Sequence, residues 1–383
     1  MSPIVVSGIA VMTSIGANIN DTWDGLLNQK NGAKPVSSFP INDHKHRNAC
    51  EVTDISLFCD RNVVKLGRAS SMLITTIDDA LSDAKVEINQ IEKCGVCIGT
   101  TMGELSGITN NSGAINKYGP HILSENIKKH YNISGPSWTL TNACAAGNFS
   151  IARAVDELEK GNADVMIAAG VDAMSWVAFT GFSSLRAMSP DICRPFDKNR
   201  KGLILGEGAG VLILEKLEHL LKRKGLAKGT ILGYGFNCDA HHITQPDPNA
   251  IGAILAMESA LKNANLTISD IGYVNAHGTG TPANDLMEGK ALYDFFGEYI
   301  KTSSIKGNIG HTLGAASVIE AAICIKVLEE KLVPPTANIE NLDPNIKVEV
   351  IKDIPQHFDY KFIMSNAYAF GGINSSIIIG RLN

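Results

Sequence analysis

Long apolar runs and blocks of positive charge are both missing from this sequence. No uninterrupted apolar stretch reaches about 18 residues, the length that a membrane-spanning helix requires. The N-terminus, MSPIVVSGIAVMTSIG, is apolar but has no basic segment, so it predicts a strand and a turn rather than a signal peptide. The formal net charge is −5, and no basic run is long enough for a nucleic-acid-binding face. We therefore expect neither a membrane segment nor a nucleic-acid partner.

Cysteine is sparse, with eight residues scattered over a chain of 383, which excludes a dense disulfide framework. Free thiols in the cytoplasm are the simpler interpretation. Cys94 and Cys97 form a CxxC pair, but they lie in an apolar strand-like run that would point them to opposite faces. We interpret them as small core residues. His44, His46 and Cys50 lack a fourth ligand at a matching spacing, so we predict a solvated loop there and no metal site.

The common motifs for nucleotide binding and for a serine nucleophile are also absent. There is no P-loop and no GxSxG motif in the sequence. Residues 206–210 read GEGAG, which is not GxGxxG and precedes a predicted strand instead of opening a helix. The sequence therefore argues against NAD binding, and we predict a site without a metal or a bound cofactor.

The features that are present predict an α/β fold built twice. Short β-rich runs alternate with amphipathic helical segments, and the chain is long for a single core. One order of strands, small-residue turns and helices occurs twice, although few residues are identical between the two copies. The matching pairs are 95–99 with 273–276, 139–159 with 305–330, 163–170 with 362–367, and 210–215 with 375–380. We predict a front half of residues 1–230 and a back half of residues 231–383, with the site between them.

Cys144 is the first candidate for chemistry. It lies between an apolar run and a predicted helix, in the small-residue segment NACAAG. A cysteine at a helix N-terminus is favoured as the thiolate by the helix dipole, and amides at such a turn can donate to an oxyanion. Taken alone, Cys144 is equally compatible with a buried packing role.

The back half contributes two histidines and two charged residues. His277 follows a predicted strand and opens the loop HGTGTP, which places it facing a cleft. His311 ends the segment KGNIGH, which begins with Lys306, and Glu320 lies on the following helix. A lysine and a glutamate close to a histidine can fix its orientation and protonation state. As isolated residues, Lys306 and Glu320 would be interpreted as solvated, and His277 as bonded to neighbouring backbone.

Five motifs in this order resemble one family over nearly the whole chain. The chain is similar to the elongating β-ketoacyl-acyl-carrier-protein synthases of the thiolase superfamily, which use a Cys-His-His site. The motifs are NACAAG at 142–147, RPFDKNR at 194–200 with GEGAG at 206–210, NAHGTGTP at 275–282, KGNIGHTLGAA at 306–316 and NAYAFGGIN at 366–374. The resemblance implies a duplicated βαβαβαββ fold in five αβαβα layers, and a dimer.

The resemblance also implies a role for each residue of the site. Cys144 would accept an acyl group from a carrier protein, and His277 and His311 would stabilise the enolate that forms when malonyl-carrier protein loses carbon dioxide. Lys306 and Glu320 would hold the region of His311 electrostatically. The amides of Cys144 and Phe370 would form the oxyanion hole, and Phe370 would also control access to the thiol. Thr279 and Thr281 would bind the phosphopantetheine arm, which carries the substrates.

Several positions differ from the usual pattern of the family. The family often has glycine at the positions of Ser317 and Ala369 and phenylalanine at the position of Tyr368, and Ala145 and its neighbours replace a more usual Ser/Thr-Gly. The segment between Ser189 and Arg194 is short. The replacement at Ala145, together with the sequence TTMGE at 100–104, favours a specialised polyketide or polyene branch over general fatty-acid elongation.

The expected partners are an acyl carrier protein and either a second copy or a chain-length factor. The expected rim for the acidic carrier protein is Lys65, Arg68, Lys128 and Lys129, which are equally compatible with being ordinary solvated side chains.

Three other functions fit the same residues less well. A thiolase acting on acyl-coenzyme A has a second cysteine near the C-terminus, where this chain has NAYAFGG. An initiating ketosynthase has asparagine at the position of His311. A non-condensing chain-length factor lacks the nucleophile, whereas Cys144 is present. The sequence favours the condensing enzyme, which forms a carbon–carbon bond between thioester-bound acyl groups.

Overall fold

The computed structural model, which describes residues 2–41, 44–53, 66–105 and 118–382, contains one large mixed β-sheet with helices packed against it. The strands are β1 (Ile4–Met12), β2 (Lys34–Pro35), β3 (Asn48–Ala49), β4 (Cys94–Gly99), β5 (Ser137–Leu140), β6 (Val165–Asp172), β7 (Gly208–Lys216), β8 (Gly229–Cys238), β9 (Ile271–Asn275), β10 (Lys301–Ser303), β11 (Leu332–Val333), β12 (Glu349–Val350), β13 (Gln356–His357), β14 (Phe362–Ala369) and β15 (Ile373–Gly380). The α-helices are α1 (Ile19–Leu27), α2 (Arg68–Ala84), α3 (Pro120–Tyr131), α4 (Ala146–Glu159), α5 (Trp176–Ser184), α6 (Leu217–Lys222), α7 (Ile251–Ala264), α8 (Pro282–Phe296), α9 (Lys306–Ile309) and α10 (Ala316–Glu330).

The strand order shows that the fold is duplicated. The sheet runs β12-β10-β9-β14-β15-β8-β1-β7-β6-β4-β5. Outward from its centre, the front half reads β1-β7-β6-β4-β5 and the back half reads β8-β15-β14-β9-β10, which is the same order of elements. The halves join where β1 pairs antiparallel with β8 at Val5 and Val6. The predicted internal repeat is therefore confirmed. The division at residue 230 stays a prediction, and it falls one residue after β8 begins.

The helices form three layers around the two half-sheets. The first core cluster lies beneath α2 and α3 on the outer face of the front half, and another lies beneath α7 and α8 on the outer face of the back half. Between the half-sheets, α4 and α10 pack against strands of both halves around a third cluster. This arrangement is the predicted αβαβα order. Because α10 is enclosed on all sides, nearly every residue of it is buried.

The cysteines and the two early histidines test smaller predictions. Cys94 packs into the outer cluster of the front half and Cys97 into the central cluster, so the two do point to opposite faces. Among the described cysteines all are free, and only Cys238 is exposed. The predicted solvated loop around His44 and His46 is wrong. The His44 ring packs edge-on against Phe179, 5.4 Å between ring centres, and His46 is 8% exposed with Nδ1 3.2 Å from a backbone carbonyl oxygen. No helix in the described ranges has the length and apolarity to span a bilayer.

The two central helices approach most closely near their N-termini. A Cβ atom at Gly147 of α4 would lie 2.5 Å from Ser317 Oγ and 2.8 Å from Val318 N of α10, which is too close for any real side chain. The hydroxyl of Ser317 also accepts a 2.9 Å hydrogen bond from the backbone N–H of Asn148. Gly147 therefore sets the distance between the helices that carry the two halves of the site.

Substituting Gly147 by alanine is expected to lower the free energy of unfolding by about 1–3 kcal/mol, because the added methyl overpacks the contact with α10. The measurement is chemical denaturation followed by circular dichroism. Gly181→Ala is the matched control, since a Cβ at that helical position of α5 meets no atom within 4 Å. It should leave stability unchanged or raise it by up to about 1 kcal/mol through helix propensity. Equal losses in both variants would contradict the packing explanation.

Candidate active site

Cys144 lies in a short turn between β5 and α4. Residues 143–145 form a single 3₁₀ turn, and Ala143 adopts φ +48°, in the left-handed region that side chains other than glycine usually avoid. Small residues allow this sharp reversal because they have little bulk to place against the preceding strand. The turn leaves the thiol 5% exposed at the N-terminus of a buried helix.

The electrostatics of this thiol differ from what the sequence predicted. Burial raises the pKa of Cys144 to about 12, although the positive charge of Lys306 and the amides of Cys144 and Phe370 act in the opposite direction. The position at a helix N-terminus was expected to favour the thiolate, but the loss of hydration outweighs it. The resting nucleophile is therefore a protonated thiol, and a base has to accept its proton when it reacts.

Two histidines from the back half lie beside Cys144. The Sγ atom of Cys144 and one ring nitrogen each of His277 and His311 all lie within 4.8 Å of one another, and the two rings meet edge-on with 5.2 Å between their centres. The structure thus brings together the three residues that the sequence placed in one site. Both rings are buried, and they can donate to, or accept a proton from, an atom bound at the thiol.

Local hydrogen bonds hold each histidine in place. His277 follows β9, and the carboxylate of Glu288 on α8 accepts from the backbone N–H groups of His277 at 2.8 Å and Gly278 at 2.7 Å. The backbone N–H of Leu313 donates to Nδ1 of His311 at 3.1 Å. A neutral His311 ring therefore carries its proton on Nε2.

Lys306 and Glu320 form a buried ion pair behind the histidines. The ammonium group of Lys306 donates to a carboxylate oxygen of Glu320, and each side chain is only 1% exposed. This burial differs from the solvated position that Lys306 and Glu320 would be given as isolated residues. Burial, together with the charge of Lys306, holds the pKa of His277 and His311 well below the usual range. Both rings are consequently neutral, so each can donate a hydrogen bond through one nitrogen and accept a proton at the other.

A cavity of about 290 Å³ reaches Cys144 from the surface. Residues of both halves line it, including Thr279 and Thr281, whose hydroxyl oxygens are 2.8 Å apart. The carboxylate of Asp285 accepts from the backbone N–H groups of Thr279 and Gly280 at 3.1 and 3.2 Å, which fixes this wall of the cavity.

Phe370 lies on the same cavity, at the end of β14. Its ring stacks on Phe182 of α5 with 5.8 Å between ring centres, and its backbone amide faces the thiol of Cys144. The next two residues, Gly371 and Gly372, adopt φ +86° and +74°, so a reversal here depends on glycine. The structure therefore places the amides of residues 144 and 370 together, as the resemblance implied.

None of the described residues of the predicted basic rim lines the cavity. Lys65 lies outside the described residues, and Arg68 is bound to the buried carboxylate of Glu207. Lys128 and Lys129 are exposed at the end of α3 and do not line the cavity. The cations that line it are Arg186 and Lys201, which the sequence analysis missed because they carry no motif of their own.

Sequence reasoning also missed the buried acids that hold the loops of the site. These are Asp172, Asp285 and Glu288, which accept main-chain hydrogen bonds from the turns around the histidines. The signal for the last two was present, since they recur at i and i+3 on a helix that starts directly after HGTGTP. Asp172 had no such signal, because it ends an otherwise apolar strand.

Cys144, His277 and His311 are also the group of metal-ligating side chains found within the described residues. One sulfur and two nitrogens form a donor set that suits zinc. The positive charge of Lys306, which lowers the pKa of both histidines, would also oppose a divalent cation there.

Comparisons with known proteins agree with this geometry. Residues 1–219 match the family model of the β-ketoacyl synthase N-terminal domain, and residues 228–340 match that of its C-terminal domain. Proteins named 3-oxoacyl-[acyl-carrier-protein] synthase 2 are 35% identical in Synechocystis sp., covering 98% of this chain and 97% of that protein, and 32% identical in Coxiella burnetii, covering 99% and 98%. A solved structure described as the ishigamide ketosynthase/chain length factor superposes with a TM-score of 0.92 at 32% identity, covering all of both chains.

Replacing Lys306 by methionine is expected to raise the pKa of both His277 and His311, because a like charge that opposes their protonation is removed. Burial raises the pKa of Glu320 to about 7, so without Lys306 this carboxyl group can stay neutral instead of remaining as an unpaired charge. The measurement is a pH titration of ¹⁵N-histidine signals by NMR. Lys201→Met removes a cation at the cavity wall, away from the buried pair, and should leave both titrations unchanged. Unaltered histidine titrations in Lys306→Met would show that Lys306 does not control them.

Proposed function

The chain belongs to the β-ketoacyl synthase family, and we propose that it elongates acyl chains by decarboxylative condensation through Cys144, His277 and His311. Its family makes it a condensing acyltransferase, which joins acyl groups with a new carbon–carbon bond. The observation that carries the proposed residue roles is the convergence of one thiol from the front half and two neutral imidazoles from the back half within 4.8 Å.

In the first step that we propose, Cys144 takes the acyl group from a carrier-protein thioester. Its proton passes to a neighbouring neutral imidazole, and the sulfur attacks the thioester carbon. The amides of Cys144 and Phe370 then donate to the oxyanion, each at a place where charge develops. The imidazolium returns the proton to the departing pantetheine sulfur, so the carrier protein leaves with a free thiol and the acyl group stays on Cys144.

In the second step, malonyl-carrier protein binds and loses carbon dioxide. The Nε2–H of His311 and the ring of His277 stabilise the negative charge on the thioester oxygen of the resulting enolate. The enolate carbon attacks the acyl-Cys144 carbonyl, and the thiolate leaves as the β-ketoacyl-carrier protein forms. Loss of carbon dioxide drives the condensation, so the residues need only supply hydrogen bonds.

The supporting residues have the contacts that their proposed roles require. Lys306, which is paired with buried Glu320, helps to keep the imidazoles neutral. Thr279 and Thr281 offer hydroxyl groups to the amides of the phosphopantetheine arm along the cavity wall. Phe370, followed by two glycines with positive φ, controls access to the thiol.

An acyl carrier protein is the partner that we propose, and the acyl groups arrive on its phosphopantetheine arm. Arg186 and Lys201, which line the cavity, would attract its acidic surface. We propose a dimer, either with a second copy or with a chain-length factor, as in the description of the ishigamide protein. The free thiols of the described cysteines favour a reducing compartment, so we propose the cytoplasm.

For the pathway, we propose a specialised polyketide or polyene branch. Tyr368 and Ala369 line the cavity at positions where the family often has phenylalanine and glycine, so the departures lie where they can affect substrate choice. The ishigamide protein, 32% identical over its whole length, is described with a chain length factor, which is the partner expected for that branch. General fatty-acid elongation is the alternative, supported by the names of the relatives from Synechocystis and Coxiella.

Cys144→Ala is expected to abolish acyl loading while leaving the fold intact, because the only atom that bonds to the acyl carbon is removed. Intact-protein mass spectrometry after incubation with acyl-carrier protein measures the mass gain. Cys94→Ala, which changes a buried cysteine in the outer cluster of the front half, should still gain the mass of the acyl group. A mass gain that persists in Cys144→Ala would end the assignment.

His311→Ala is expected to spare acyl loading and to slow condensation by about 10²–10³-fold, the usual effect of removing one donor to a developing oxyanion. The two steps are measured separately, as the acyl mass gain and as the release of labelled carbon dioxide from malonyl-carrier protein. If both survive in this variant, the proposed role of His311 is wrong.

A further inference from the structure

Asp172 is a buried carboxylate that joins the two halves beside the site. It ends β6, is fully buried, and accepts hydrogen bonds at both oxygens. From the front half, Oδ1 accepts from Thr100 Oγ1 at 2.9 Å and Met102 N at 2.8 Å, and Oδ2 accepts from Thr101 N at 2.8 Å. From the back half, Oδ2 accepts from Gly314 N at 2.7 Å. Burial raises the pKa of Asp172 to about 6, so the group remains ionised at neutral pH.

The Gly314 amide belongs to the turn that also binds His311. Thr312 has φ −83° and ψ 24°, whereas Leu313 has φ +53°, a left-handed conformation that costs a leucine free energy. This pair of conformations aims two successive amides at different acceptors. Leu313 N donates to His311 Nδ1 at 3.1 Å, and Gly314 N donates to Asp172. The backbone of Gly314 also approaches that of Thr100, since a Cβ at Gly314 would lie 2.6 Å from it.

The same turn occurs in the front half, at residues 142–144. Asn142 has φ −83° and ψ 41°, Ala143 has φ +48°, and the Cys144 amide occupies the position of Gly314. Successive amides in such a turn form a concave site for an anion. In the front half the Cys144 amide is left for a substrate oxygen, whereas in the back half the protein fills the equivalent position with its own carboxylate.

We propose that Asp172 is a positioning residue for His311, whose carboxylate holds the 312–314 turn in the conformation that directs the Leu313 amide at Nδ1. Without the carboxylate, nothing on the front half holds the Gly314 amide, and Leu313 can relax from its left-handed conformation. The Nδ1 atom of His311 then no longer accepts a hydrogen bond from the Leu313 amide. The ring therefore loses its preference for a proton on Nε2. Asp172 touches no reacting atom in this arrangement and acts through His311.

Asp172→Asn tests the proposal, because an amide has one acceptor oxygen and cannot replace both oxygens of the carboxylate. In ¹⁵N-histidine NMR spectra at pH 7.5, assigned with His311→Asn, the native enzyme should show the Nε2–H tautomer of His311 alone. The variant should show signals of both tautomers. Since kinetics rest on the proposed function, they are the second measurement: condensation should slow by about 10- to 100-fold, as for a misplaced catalytic group, while acyl loading and the KM for malonyl-carrier protein change less than about twofold.

Asp197→Asn is the matched control. Asp197 is also fully buried and accepts main-chain amides, those of Asn199, Glu340 and Asn341, but makes no bond to the 312–314 turn. A merely structural loss would lower the thermal midpoint in both variants and alter His311 in neither. A single Nε2–H tautomer in folded Asp172→Asn, whatever its activity, would overturn the proposal. A mixture of tautomers in Asp172→Asn, found together with no condensation activity in the native enzyme, would contradict the proposed function alone.

Thr100→Val provides a milder variant if Asp172→Asn does not fold. It is close in shape to the native residue and removes only one of the four donors, so the carboxylate can rotate away from Gly314. We expect a smaller fraction of the second tautomer and a smaller loss of condensation. Native His311 signals together with native condensation in this variant would overturn the proposal.

Discussion

The contact between the two central helices determines the rest of this structure. Because α4 carries Cys144 at its N-terminus and α10 begins just after His311, the distance between these helices is also the distance between the nucleophile and its partners. Gly147 and Ser317 allow a separation that no larger side chain at residue 147 would permit. Two half-sheets, each covered on its outer face, then hold both helices from either side. The site, which combines two distant parts of the chain, is thereby held in place by the packing of the hydrophobic core.

The same burial sets the electrostatics of the site. Cys144 has a raised pKa of about 12 and His277 and His311 have lowered pKa values, so the three reacting side chains are uncharged at rest. A neutral ring can donate a hydrogen bond to an enolate and can also accept the proton of the thiol, which a charged ring could not do. The thiol of Cys144 stays protonated at rest and becomes negatively charged only when it reacts with a bound acyl donor. Desolvation, which opposes a free thiolate, thus favours the neutral forms that condensation needs.

The sequence predicted the duplicated fold and the roles of Cys144, His277 and His311 because both produce patterns within short stretches of the chain. Repeated strand patterns predicted the order of elements. The turns of the site were predicted by the small residues around Cys144 and by the glycine-containing loops at His277 and His311. What it could not predict depends on distance through space. The pKa of Cys144 reflects burial by both halves. His44 packs against α5 and His46 lies beside the carbonyl oxygen of Ser189, and both partners are far away in the sequence. Asp172 bonds to residues 70 and 142 positions away, so no spacing rule reveals it.

The uneven exposure of the cysteines has a consequence for covalent inhibitors. Within the described ranges Cys238 alone is exposed, and it shows no burial of the kind that protects the nucleophile. An electrophile selected only for its intrinsic reactivity toward thiols will therefore modify Cys238 first and report on the surface. A compound that reaches Cys144 has to fit the 290 Å³ cavity, and one that acylates the thiol can place its oxyanion at the amides of Cys144 and Phe370. A chemical probe that is selective for Cys144 will accordingly have to match the shape of this cavity before it reacts.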